Sequence, residues 1–354
     1  MRPDAWYCAG WSRELVGGTV GRTLLGSHVV LFRDGTGTAR ALGARCPHRG
    51  ADLASGAVVD GCIQCPFHGW RYDGSGQCVR VPSQPESVKI SSLAHVPSFP
   101  LHESQGTLWI WMGARGTQGP EPPRDAIQRP GRPVRRLYLD ARLIDAPVLS
   151  VLENAFDKAH LPFIHRGTFG RDQDPLVARQ RITVDADGGG LRSEDDPSSP
   201  WHAEASLPGG WIGRLARLLL GLRRPIAQHT RFDVGGIAQQ LYIEYPDGTY
   251  DLFVAHITPA DEERTWLFVE SVRTRAPHFI GDWVQRRVLS RLFEEGTRET
   301  SLILAASADD RRPVSVESDR VGIAARRLYE RWDRGSGTAV GARDQADDGG
   351  RLRL

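Results

Sequence analysis

At 354 residues the chain is long enough for two domains of ordinary size. Its 45 basic and 43 acidic side chains leave a net charge of +2, which gives no global field to attract nucleic acid or a strongly acidic partner. With no run of 18 apolar residues, no signal-peptide core at Met1-Arg2-Pro3-Asp4-Ala5-Trp6 and only five cysteines, the composition excludes a membrane span and a disulfide scaffold and predicts a soluble, cytoplasmic protein.

In chain order, the first predicted element is the β-branched and aromatic run Ser-His-Val-Val-Leu-Phe at 27–32, which reads as a buried strand. Two tight loops follow. Cys46-Pro47-His48-Arg49-Gly50 and Cys65-Pro66-Phe67-His68-Gly69-Trp70 are separated so that sixteen residues lie between His48 and Cys65. Each loop has a proline after its cysteine, which fixes φ, and a glycine behind its histidine, which lets the chain turn closely. Two thiolates and two imidazoles in this order form the ligand set of a Rieske cluster, where histidines replace two cysteines on one of two irons. A Cys2His2 zinc site uses the same donors, but its second pair normally sits on a helix as His-x3-5-His, which is missing here. The pair Cys62 and Cys65 has redox spacing, yet it leaves His48 and His68 unused. Cys8, Cys62 and Cys78 then read as buried or half-buried thiols.

A second strand is expected at 107–112 (Thr-Leu-Trp-Ile-Trp-Met), closing a largely β domain over residues 1–115. Residues 116–135 contain five prolines among glycines and charges and read as a linker. Beyond it, strands are predicted at 137–144, 180–185, 228–234, 238–245, 250–258 and 265–273, and helices at 147–161, 211–223, 277–307 and 319–333. Strands in a row followed by a long helix predict an α+β second domain over residues 136–333 with an antiparallel sheet. The tail, 334–354, is rich in Gly, Asp and Arg and reads as disordered.

Within the helix at 147–161, Asn154, Asp157 and His160 recur every three residues and form a connected polar edge. His165 would miss a metal bound by His160 unless the helix stops between them, and Pro162 is the expected stop. Two histidines at a helix end, with a carboxylate from elsewhere, give the facial arrangement of non-haem Fe(II) oxygenases, which leaves positions open for O2 and substrate.

Both motifs resemble the Rieske non-haem iron oxygenases. The first similarity runs from Trp6-Tyr7 through the two loops to Arg71-Tyr72-Asp73; the second is the pattern Asn-x2-Asp-x2-His-x4-His, matched at Asn154, Asp157, His160 and His165. Arg312-Pro313 and residues 318–327 resemble the closing helix of the oxygenase-demethylase branch. The resemblance implies an all-β Rieske [2Fe-2S] domain followed by a helix-grip catalytic domain. It implies that Cys46 and Cys65 bind the inner iron of the cluster and His48 and His68 the outer one. It further implies that His160 and His165 bind a mononuclear Fe(II), that Asp157 bridges an iron-ligand histidine to a neighbouring subunit's cluster histidine, and that Asn154 supports the site. The family usually supplies an aspartate as third ligand, often as Glu-Asp, and here the sequence departs: the long helix offers Phe293-Glu294-Glu295-Gly296-Thr297-Arg298-Glu299. Upstream context favours Glu295 and downstream context Glu299; the expectation is Glu295, with Glu299 the alternative, while Glu294 or no protein carboxylate also stays open.

The implied function is that of a terminal oxygenase which hydroxylates or oxidatively demethylates a small, largely apolar organic substrate with O2. Cis-dihydroxylation of an aromatic ring is the alternative, and an electron-transfer or ligand-binding protein with a degenerate iron site is the reading from another class. No Gly-x-Gly-x-x-Gly follows a strand, so electrons are expected from a separate NAD(P)H-dependent reductase, with or without a ferredoxin. A head-to-tail homotrimer is implied, in which each cluster serves the neighbour's iron. The segment 211–224 has leucines on one face and arginines on the other, and reads as a packing helix over the cavity or a membrane-surface helix. Of the remaining histidines, none of which has ligand spacing, His202 and His256 are the candidates for a pocket wall.

Overall fold

A computed structural model describes residues 2–113, 119, 121–123, 134–168, 175–177, 180–195, 227–246, 248–273, 279–306 and 314–335. The basic segment 211–224, His202, His278 and most of the expected linker and tail lie outside the described residues. The first domain carries β1 (Trp6–Trp11), β2 (Val20–Leu24), β3 (Ser27–Arg33), β4 (Ala39–Gly43), β5 (Ala57–Val59), β6 (Cys62–Gln64), β7 (Arg71–Tyr72), β8 (Cys78–Arg80), β9 (Ser98–Phe99), β10 (Leu101–Ser104) and β11 (Thr107–Trp111). These pair in the orders β1-β11-β10, β2-β3-β4-β9 and β5-β6-β7-β8, all antiparallel.

The buried run predicted at 27–32 is β3, and its lack of alternation has a physical cause. Val29 and Leu31 face one core while Val30 and Phe32 face another, so both sides of the strand are covered. The core under Val30 and Phe32 includes Leu42, Ile63 and Tyr72 and reaches Cys46 and Cys65. The core under Val29 and Leu31 continues into the second domain, where Leu152, Phe232 and Leu328 join it. The two domains are also tied by polar contacts: Trp11 Nε1 donates to Leu139 O at 2.7 Å and Thr258 Oγ1 to Cys8 O at 2.9 Å.

The second domain contains β12 (Arg135–Tyr138), β13 (Arg142–Ile144), α1 (Val148–Phe156), α2 (Leu161–Ile164), β14 (Gln180–Val184), β15 (Gly190–Asp195), β16 (Ala227–Asp233), β17 (Ala238–Glu244), β18 (Tyr250–Pro259), β19 (Thr265–Arg273), α3 (Phe279–Ala306) and α4 (Arg320–Asp333). One antiparallel sheet runs β12-β19-β18-β17-β16-β15-β14, with β13 also pairing β19. The strand expected at 137–144 is therefore two, interrupted at 139–141. The register sets Gln239 beside Ala255 and Ala255 beside Val269, and sets Thr230 beside Leu241 and Leu241 beside Phe253. Those rows share one face of the sheet, because alternate residues of a strand point the same way. α1, α3 and the start of α4 lie over that face and enclose the cavity described below.

Candidate metal centres

The two cysteine–histidine loops have matching backbones. Cys46 O accepts from Gly50 N at 2.8 Å and Cys46 N donates to Ala51 O at 2.9 Å; Cys65 O accepts from Gly69 N at 3.0 Å and Cys65 N donates to Trp70 O at 2.8 Å. Each loop closes on a glycine with positive φ, 72° at Gly50 and 71° at Gly69, a conformation open to few other residues. Cys46 and Cys65 are buried, whereas His48 and His68 are exposed with their rings 4.7 Å apart. Trp70 stacks on His48 at 4.6 Å and 3°, fixing the ring plane. The Tyr72 hydroxyl lies 3.1 Å from Cys46 Sγ. Burial pushes the Cys46 thiol above its ordinary pKa, against the hydrogen bonds from the Tyr72 hydroxyl and the His48 backbone. Two buried sulfur donors behind two exposed nitrogen donors fit a cluster with one inner and one outer iron. Cys8 and Cys78 are buried and Cys62 is half-buried, as expected for the leftover thiols.

At the second site the chain departs from the predicted helix. α1 ends at Phe156, because Asp157 takes an extended ψ of 115° and its Oδ1 accepts from Ala159 N at 2.7 Å. This aspartate turn ends the helix, five residues before Pro162; Pro162 sits in the first turn of α2, where its missing N–H costs nothing. The polar edge nevertheless converges. His160 Nδ1 lies 3.2 Å from Asp157 Oδ2 and 3.5 Å from Asn154 Nδ2. The His160 and His165 rings are 5.2 Å apart at 66°. His165 is buried; its Nδ1 donates to Glu299 Oε2 at 2.9 Å, and its Nε2 lies 3.4 Å from Thr300 Oγ1.

Burial opposes ionisation of Asp157, but the bonds from His160 and from backbone N–H groups outweigh it and hold the carboxyl below its ordinary range. Burial likewise holds the His165 imidazole below its ordinary pKa, with the Glu299 contact working the other way. A neutral ring with its proton on Nδ1 leaves a lone pair on Nε2, the form a metal takes.

The histidines open into a cavity of about 430 Å3 lined by apolar groups such as Leu241, Ile243, Phe253, Leu289 and Leu292, with Asp157, Lys158, Gln180, Gln228 and Gln239 among its polar residues. From α3 the wall takes Leu289, Leu292, Phe293, Gly296, Thr297 and Thr300, but neither Glu295 nor Glu299. Glu295, the expected third ligand, accepts instead from Arg291 Nε at 3.2 Å along the helix. Glu294 pairs with Arg142 at 3.2 Å. On a wheel of 100° per residue, Glu299 stands about 60° and Glu295 about 100° from Gly296 at the centre of the cavity face. Among the described residues, no three His, Cys, Asp or Glu side chains converge to hold one ion. The imidazole pair thus offers an iron ion two nitrogen donors, and neither Glu295 nor Glu299 lines the cavity into which they open. Thr300, which the sequence reading missed, continues the face set by Leu289, Leu292, Phe293 and Gly296. His256 does line a pocket, on the opposite face of the sheet, among Trp109, Arg136 and Glu270.

Comparison with known proteins identifies both domains. The Rieske [2Fe-2S] domain family matches residues 5–100, and the vanillate O-demethylase oxygenase C-terminal domain matches residues 144–334. The chain is similar to chloroplastic protein TIC 55 of Arabidopsis thaliana, at 37% identity over 45% of this chain and 30% of the relative. It is similar to the oxygenase component of dicamba O-demethylase of Stenotrophomonas maltophilia, at 34% identity over 63% of this chain and 61% of the relative. The matched part of the chain thus spans less than two thirds of either curated relative. The crystal structure of dicamba monooxygenase bound to 3,6-dichlorosalicylic acid superposes with a TM-score of 0.75 at 25% identity, covering 94% of this chain and 98% of that one. Because the C-terminal family covers more than half of the chain and follows a Rieske domain, this protein belongs to the vanillate O-demethylase oxygenase family of Rieske-type oxygenases.

Proposed function

We propose that the chain is the terminal oxygenase of a multicomponent Rieske system, acting in the cytoplasm on a small, largely apolar organic substrate. The observation that carries this reading is the presence in one chain of two donor sets, Cys46/His48/Cys65/His68 and His160/His165, the second opening into a cavity of about 430 Å3. In this reading Cys46 and Cys65 hold the inner iron of the cluster, His48 and His68 the outer one, and His160 and His165 hold the mononuclear iron through Nε2. The bound iron supplies dioxygen reduction; the chain's own residues place the substrate, exclude water and fix the imidazoles. Asp157 keeps the proton of His160 on Nδ1, and Asn154 borders the same nitrogen. The apolar wall favours a neutral substrate face, and the buried side-chain oxygen of Gln228, which has no protein partner, offers it an acceptor.

No residue of the two cysteine–histidine loops lines that cavity, and both outer histidines face solvent. This supports electron delivery from the cluster of a neighbouring copy across Asp157, in a head-to-tail homotrimer that closes on itself. The cluster would be recharged by a separate NAD(P)H-dependent reductase, with or without a ferredoxin. Among described residues no helix is long and apolar enough to cross a membrane. The reaction we assign is insertion of one oxygen atom into a substrate C–H bond, as hydroxylation or oxidative demethylation, the other oxygen leaving as water.

Iron and acid-labile sulfide analysis tests the assignment: three irons to two sulfides per chain support it, and two irons reduce the protein to a carrier. His160→Ala should keep the visible cluster spectrum and abolish substrate-dependent O2 uptake with a surrogate reductase. Unchanged uptake would remove the histidines from the reaction.

A further inference from the structure

The contacts around His165 bear on the one donor that sequence left open. An imidazole presents its two nitrogens on opposite edges, so a carboxylate that accepts from Nδ1 and a metal bound at Nε2 stand on opposite sides of the ring. Glu299 occupies the Nδ1 side, at 2.9 Å, and is pinned there by Thr168, whose hydroxyl donates to Glu299 Oε2 at 3.2 Å and lies 3.3 Å from His165 O. Thr300 occupies the Nε2 side and lines the cavity. Thr297 also reaches the wall, but its hydroxyl donates to Phe293 O at 2.7 Å and so stays with the helix backbone. The other histidine is arranged in the same sense: Asp157 is on the Nδ1 of His160.

We infer that Glu299 is a positioning residue behind His165 and that this chain supplies no carboxylate ligand to an iron held by the two histidines, the Nε2 side of His165 being bordered instead by the neutral hydroxyl of Thr300. This rests on the reading that His160 and His165 bind the iron. Its chemical consequence is one more exchangeable position on the ion than a two-histidine, one-carboxylate site leaves. Orientation by a carboxylate on the far nitrogen raises the basicity of the ligating one, so Glu299 still strengthens the site without touching it.

Anaerobic equilibrium dialysis of the cluster-loaded protein against Fe(II) tests this, with affinity as the readout. Glu299→Gln keeps an acceptor for His165 Nδ1 and should weaken Fe(II) binding about tenfold or less, while Glu299→Ala loses about 10–100-fold. Thr300→Asp places a carboxylate on the metal edge and should tighten binding at least about tenfold, as expected when a charged oxygen ligand fills a vacant position. Abolition of Fe(II) binding by Glu299→Gln, or a Thr300→Asp protein that binds no more tightly than wild type, would overturn the inference. If Thr300→Asp does not fold, by loss of the visible cluster spectrum, the Gln and Ala pair decides alone. His160→Ala and His165→Ala serve as the control: Fe(II) binding that survives both defeats the iron assignment itself, whereas binding that needs both histidines and also needs Glu299 as an anion defeats only the positioning role.

Discussion

Tyr72→Phe offers a measurement of how the protein sets the potential of its cluster. The Tyr72 side chain is fully buried, and its hydroxyl, 3.1 Å from Cys46 Sγ, donates to the sulfur once that sulfur is a thiolate ligand. Reduction adds negative charge to the cluster, and the bond to an anionic acceptor strengthens with that charge. A hydrogen bond to a charged group contributes about 1.5–3 kcal/mol against about 0.5–1.5 for a neutral pair, so a partial change of charge makes the bond about 1 kcal/mol better in the reduced state. For a one-electron couple, about 1.4 kcal/mol corresponds to 59 mV, so removal of the hydroxyl should lower the potential by roughly 40 mV. The residue is sealed from solvent, so water cannot replace the lost donor. A redox titration followed by visible circular dichroism reads the shift, with the oxidised spectrum confirming an intact cluster. A potential that stays within about 10 mV of wild type, or rises, would refute the reasoning that the bond is stronger to the reduced cluster.

Two further outcomes follow from the contacts. Asp157→Ala removes the acceptor 3.2 Å from His160 Nδ1 and should lower Fe(II) affinity or turnover about 10–100-fold with the cluster spectrum unchanged; normal turnover at full iron loading would show that the carboxylate does not orient the ring. Asp34 accepts from Thr36 Oγ1 at 2.6 Å, from Arg40 Nε at 2.6 Å and from Thr36 N at 2.9 Å, which hold its carboxyl well below the usual range. Because the folded value lies below the unfolded one of about 3.9, its stabilisation is complete above that pH and disappears as pH falls through the folded value. Asp34→Asn should therefore lower the urea midpoint at pH 7 by the equivalent of about 0.5–1 kcal/mol, and the gap from wild type should narrow as the pH drops below about 4; a gap that stays constant would mean that the charge contributes nothing.

What could be read from sequence was what neighbouring residues determine among themselves. The loops at Cys46 and Cys65 were legible because proline, glycine and both donors of each loop lie within a few residues, and the backbone bonds that shape them are local. The sheet of the second domain was legible because β-branched runs recur at meander spacing. The end of α1 was misplaced at Pro162 because two breakers compete there. Asp157 acts first, through a side-chain bond to Ala159 N that ends the helix before proline is reached. Glu295 and Glu299 share a sequence neighbourhood and a helix side, so periodicity alone left both open. What separates them is the rotation of α3 about its axis, set by the packing of Leu292, Phe293 and Gly296 against the cavity. Which edge of the His165 ring each group meets depends on contacts over 130 residues away in sequence, and no local pattern encodes that.

The placement of Asp157 and Glu299 also bears on what the cavity can hold. Asp157 and Glu299 each stand on the Nδ1 side of an imidazole, so in the proposed site two carboxylates would offset the charge of a divalent ion held by the histidines without ligating it. At that separation the attraction is weaker than direct ligation but still acts through a poorly screened, largely apolar interior. In the proposed site the unit of ion, histidines and carboxylates would be neutral as a whole, and beside the wall of Leu241, Ile243, Phe253, Leu289 and Leu292 the lining also carries the cationic Lys158. An anionic group placed against that wall, away from Lys158, would have to shed its hydration with nothing to offset it. A neutral face sheds little hydration there, so the apolar wall favours uncharged substrate groups, while Lys158 marks the part of the lining that an anionic group can approach.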